Sequence, residues 1–93
     1  MCTNILHNTT LDGSGKGREG WFPLDRASIT YDHPSHADLE HALNIDFAAD
    51  GHPGMRVAVE LSLASARRLA AAIATACDEA EAYERGEPLP GGG

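Results

Sequence analysis

Three histidines fall within eleven residues, in Tyr31-Asp-His-Pro-Ser-His36 and Glu40-His41, with the carboxylates of Asp32 and Glu40 among them. Neutral imidazoles gathered at one point bind Zn, Cu, Ni or Fe, and a nearby carboxylate adds a ligand, orients one, or acts as a base. The candidate metal ligands are therefore His33, His36 and His41, with His7 reaching them from an earlier strand. Glu40 and Asp32 are the candidate catalytic groups, and Tyr31 and Trp21 the candidate pocket walls. Neither H-x-H nor H-E-x-x-H occurs in the chain, so density carries this reading and spacing does not. The competing reading is that each imidazole is a hydrogen-bonded structural residue.

The elements that must position these groups follow from periodicity. Residues 3–11, rich in Thr, Ile and Leu, read as a first strand. Residues 26–32 alternate, with Ala27, Ile29 and Tyr31 on one face. Residues 41–47 alternate again, with His41, Leu43, Ile45 and Phe47 together, and residues 56–61 place Val57, Val59 and Leu61 inward. Asp50-Gly-His-Pro-Gly54 makes a hairpin connection. Ser62 is a good N-cap, and from Leu63 to about Tyr83 the apolar spacing becomes helical, with Cys77 on the inner stripe and Gly86 as the stop. The expected fold is α+β: a small, mainly antiparallel sheet of about four strands, in the order β-β-β-β-α, with one C-terminal amphipathic helix packed on it. Residues 1–86 form a single domain and 87–93 a flexible tail. By strand parity, His33 and His41 share the face of Tyr31, and His7 shares parity with Ile5.

Two further features carry chemistry in principle. Gly13-Ser-Gly-Lys-Gly17 has the composition of a phosphate loop, but Lys16 is followed by Gly17 and no helix follows, so the segment 12–20 reads as a mobile loop able to cover a site. Removal of Met1 would leave Cys2 with a free amine beside its thiol, a pair that chelates metal or acts as a nucleophile. Cys77 reads as core. Trp21-Phe22-Pro23-Leu24 reads as an aromatic plug, with Pro23 arguing against a central strand.

Composition narrows the partners. The net charge is −7 and Lys16 is the lone lysine, so a nucleic-acid backbone is an unsuitable partner. No apolar run approaches the length of a membrane helix. Two cysteines without a leader-like N-terminus point to a reducing cytoplasm. A domain this small has a modest core, and a sheet covered on one face leaves edges and a face to protect; the expected state is a homodimer.

The start Met1-Cys2-Thr3, the run Gly13–Gly17 leading to Gly20-Trp-Phe-Pro-Leu24, the Tyr31-Asp-His-Pro34 segment with His36, and Glu40-His-Ala-Leu-Asn-Ile-Asp-Phe47 together resemble a family of short actinobacterial proteins catalogued as a domain of unknown function. The resemblance covers about residues 1–80 and implies an actinobacterial source; it brings no activity, cofactor or site residues with it. Three functional readings stand at this point. The first is a histidine-based metal-binding protein or small metal-assisted enzyme. The second is a non-catalytic homodimeric module for a small molecule or another interaction. The third is a metal-free acid–base enzyme pairing His41 with Asp46 or Asp32, whose carboxylates have the opposite parity to the inward histidines.

Overall fold

Alternation of apolar and polar side chains turns most of the first sixty residues into strands, and the pleat then sorts those side chains onto two faces. The computed structural model describes residues 3–88. It contains β1 (Ile5–Gly17), β2 (Gly20–Asp32), β3 (Ala42–Ala48), β4 (Arg56–Leu61) and α1 (Leu63–Glu84). The four strands form one antiparallel sheet in the order β1-β2-β3-β4, so the fold is α+β as expected. The chain divides into two units, Met1–Leu63 with the sheet and Ala64–Gly93 with nearly all of α1. Cys2 and the tail from residue 89 lie outside the described residues.

Register fixes the two faces. The rows Ala27–Phe47–Val57, Ile29–Ile45–Val59 and Tyr31–Leu43–Leu61 are apolar. The rows between them, Ser28–Asp46–Ala58 and Thr30–Asn44–Glu60, are polar. Phe22 is the one large side chain buried among the described residues, and the others that are buried are Ala27, Ala42, Ala48 and Ala49.

The glycine-rich segment corrects the expectation of a mobile loop. Residues 13–17 belong to β1, which resumes pairing after a register shift between Thr10 and Gly13, with Gly13 opposite Leu24 and Gly15 opposite Phe22. The glycines serve close approach. A Cβ at Gly15 would lie 3.0 Å from the Leu24 side chain, and one at Gly17 would lie 3.2 Å from the Phe22 ring, whereas a Cβ at Gly13 meets nothing. Gly15→Val is therefore expected to destabilise the protein by about 1–3 kcal/mol through overpacking. Gly13→Ala is expected to be close to neutral, and urea denaturation of the two variants checks the contrast. Pro23 is also accommodated. It pairs with Ser14 beyond the point where Arg26 meets the last β3 residue, Ala48, so β2 has a neighbour on one side only there. Trp21-Phe22-Pro23-Leu24 is thus strand rather than plug, although Phe22 fills the buried position.

α1 follows from an alanine-rich sequence with no internal Gly or Pro. It ends in a Schellman arrangement: Gly86, at φ 77°, donates its N–H to the Tyr83 carbonyl at 2.9 Å, and Glu87 donates to Ala82 at 2.9 Å. No residue of α1 is buried. Cys77, expected in the core, is exposed.

Candidate functional site

The β2–β3 connection assembles the site. The ladder closes with Asp32 opposite Ala42, and one further step sets His33 against His41 on the face that carries Tyr31 and Leu43. The three rings form a column. Tyr31 and His41 stack with centroids 5.5 Å apart, and His33 and His41 at 4.8 Å, each pair inclined by 23°. Two short contacts hold the column in place. The Asp32 carboxylate accepts the His33 backbone N–H at 2.8 Å, and His33 Nδ1 donates to the Glu40 carbonyl at 3.0 Å. A carbonyl oxygen only accepts, so that bond requires a proton on Nδ1. Thr3 Oγ1 donates to the Tyr31 carbonyl and ties the start of the chain to the same end of the sheet.

Between the two histidines the chain turns across to β4. Ser35, His36 and Ala37 present three successive backbone N–H groups, and the Glu60 carboxylate accepts all of them, those of His36 and Ala37 at 2.9 and 2.8 Å. These bonds, the one from Ala37 first and that from Ser35 next, hold the Glu60 carboxyl below its ordinary range. Glu60 was not legible as a site residue from its own segment, where it is one outward position of a regular strand. The available signal lay elsewhere: a non-repetitive run after Pro34 needs acceptors for its N–H groups, and Glu60 is the carboxylate in the Thr30–Asn44 row.

The polar face bears a cleft of about 370 Å³, lined among others by Ser28, Thr30, Asn44, Asp46, Arg56 and Glu60. Most of its polar groups are already engaged. Arg56 grips Asp46 with Nε donating to Oδ1 at 3.1 Å and Nη2 donating to Oδ2, and this hydrogen bonding and the Asp46 charge raise the guanidinium pKa further. Ser28 Oγ donates to Asn8 Oδ1 at 2.6 Å, and Asn44 Nδ2 to the Ala42 carbonyl at 3.2 Å.

The expected site residues therefore separate. Tyr31, His33 and His41 come together, as parity predicts. Asp32 and Glu40 adjoin them, but Asp32 accepts a backbone N–H and Glu40 contributes its carbonyl. His36 is held through its own backbone N–H to Glu60, and His7 stands exposed opposite Ile29, outside the column. Trp21 is 69% exposed, across from Lys16 at the far end of β2 from Tyr31. A metal ion lies in the plane of each imidazole that binds it, about 2 Å from the nitrogen. Stacked rings inclined by 23° present their planes side by side rather than meeting at one ion. Among the described residues, no three His, Cys, Asp or Glu side chains gather at metal-binding spacing.

No curated protein and no solved structure matches the chain. A family of unknown function (DUF6295) matches residues 1–86, and the chain belongs to that family.

Proposed function

We propose that this protein is a non-catalytic interaction module that acts through the apolar face of its sheet, with the Tyr31–His41–His33 column as a rigid end of that face. The observation that carries this reading is the face itself. Three successive rows of aliphatic and aromatic side chains cross β2, β3 and β4; Ala27 is buried and the other eight are half-buried. An apolar surface of that continuity marks an interaction site.

The polar groups support the same reading. Catalysis needs a nucleophile or base within reach of a substrate and not already committed. The Glu60 carboxylate is spent on three backbone N–H groups and that of Asp46 on Arg56. One oxygen of the Asp32 carboxylate accepts the His33 backbone N–H, and the Glu40 backbone carbonyl holds the His33 ring. The stacked histidines serve as packing surface in this reading rather than as a metal centre.

The test is elemental analysis of untagged protein, paired with a His33→Ala/His41→Ala variant. Zn, Cu, Ni and Fe are each expected well below one ion per chain, and the double variant is expected to keep its fold and its far-ultraviolet spectrum. One tightly held ion per chain, lost together with the fold in the double variant, would return the protein to the metal-binding reading.

A further inference from the structure

Independently of the apolar face, the geometry points to a binding site for a phosphate group on the polar face of the sheet, between Arg26 and Arg56. Arg26 pairs with Ala48 and Ala48 with Arg56, so the two arginines share one cross-strand row with a single alanine between them. Two strand spacings, about 9.5 Å, separate their Cα atoms, and an arginine side chain spans more than half of that. Both line a cavity of about 290 Å³, with Ala48 and His52 among its walls. Ala48 is buried and ends at a methyl group, which leaves the gap above it to the two guanidinium groups. Basic residues are half as many as acidic ones in the chain, 7 against 14, and yet two of them flank this gap with no acidic residue in the row.

The donors exceed what the neighbouring carboxylates take up. Each guanidinium has five N–H donors. Arg56 commits Nε and Nη2 to Asp46, and Arg26 meets Asp50 through Nε at 3.2 Å. The Nη1 of Arg56 and both Nη groups of Arg26 carry N–H donors beyond these contacts. The Asp50 side chain is 81% exposed, and an exposed ion pair of this kind is weak enough to yield to a better acceptor. A phosphate is that acceptor: it carries a double charge and several oxygens, and guanidinium groups bind it through paired, charge-assisted hydrogen bonds. His52 adds a ring N–H from the β3–β4 turn in either tautomer.

The surroundings fit a small molecule. The cavity adjoins the cleft of about 370 Å³ on the same face, since Asp46 and Arg56 line both, and together they have the size of a small-ligand site. The cleft continues past the Thr30 hydroxyl and the Asn44 amide, which suit the hydroxyls of a sugar. The ligand class is a small phosphorylated compound with its phosphate over Ala48, or free phosphate in the cavity alone. A nucleic-acid backbone needs a longer basic surface than one row on a chain of net charge −7.

The experiment titrates the full, untagged, nitrogen-labelled chain with inorganic phosphate, and separately with ribose 5-phosphate, near neutral pH and follows it by NMR. The Nε–H signals of Arg26 and Arg56 and the amides of Ala48 and His52 are expected to shift together and to saturate, with a dissociation constant of about 1 mM or tighter. Arg26→Gln is expected to raise that constant about fivefold or more, and Asp50→Asn, which frees Arg26 of its carboxylate, to lower it. Arg67→Gln removes the same charge from α1 and is expected to leave the constant unchanged. Tighter binding of ribose 5-phosphate, with added shifts at Thr30 and Asn44, supports the site with a phosphorylated sugar as its occupant. Equal binding without those shifts supports it with free phosphate. Wild-type shifts that grow without saturating, or that spare the two Nε–H signals, overturn the inference whether or not the variants fold. Equal affinity in Arg26→Gln and the wild type overturns it too, and the apolar-face reading stands in every case.

Discussion

Phe22→Ala is expected to be the most damaging single truncation in the sheet, lowering stability by about 3–5 kcal/mol, the usual range for emptying a buried aromatic site. Phe22 is 4% exposed and the other buried side chains among the described residues are alanines, which are too short to fill the space. Its ring also lies against the glycine backbone of β1, which is the contact that keeps Gly17 free of a side chain. Removing the ring therefore withdraws both the core volume and the support under the far end of the β1–β2 hairpin. Total stability of a small domain is only about 5–15 kcal/mol, so the loss is a large share of it. Urea denaturation at fixed protein concentration measures the effect, and Phe22→Leu should recover more than half of it. Phe47→Ala, at a half-buried position, should cost less than Phe22→Ala.

Glu60→Ala is expected to release the β2–β3 connection. Three N–H groups lose their acceptor together, and their exchange with solvent, at Ser35, His36 and Ala37, should accelerate at least tenfold relative to the central strands. Glu60→Gln keeps one carbonyl oxygen and should fall between. The effect depends on pH with a defined sign. The folded carboxyl is held below its ordinary value of 4.5, so its contribution is fully present above that value and fades as pH falls through the lowered folded value. Exchange at Ser35, His36 and Ala37 should thus accelerate in acid in the wild-type protein, beyond the intrinsic dependence of exchange on pH, and Glu60→Ala should lack that extra step. Hydrogen exchange read by NMR from neutral to acid pH checks both statements.

The legible and illegible parts of the sequence differ for physical reasons. Strict alternation in residues 42–48 and 56–61 leaves a single way to divide the side chains between two faces, so β3, β4 and the shared face of Tyr31, His33 and His41 follow from parity. The glycines of β1 mislead because propensity counts their entropic cost and is blind to the Leu24 and Phe22 side chains that require them. Glu60 escapes notice because its three partners are backbone groups twenty-three to twenty-five positions earlier, and backbone N–H groups leave no mark in composition. For the two imidazoles of the column, a strand face places the side chains but leaves ring orientation to local hydrogen bonds. The Glu40 carbonyl and the stacking on Tyr31 decide that orientation here.

The strand order β1-β2-β3-β4 also bears on how quickly the sheet is built. Every ladder joins strands consecutive in the chain, so each hairpin can zip from its own turn without first closing a long loop. Topologies dominated by such local pairing fold fast for their size, and the sheet should assemble within milliseconds. Gly17 also lies near the Arg56 carbonyl of β4, a neighbour far from it in sequence that it meets only once both outer hairpins exist. A side chain at Gly17 would meet the Phe22 ring of its own hairpin first, so substitutions there should slow folding as well as speed unfolding.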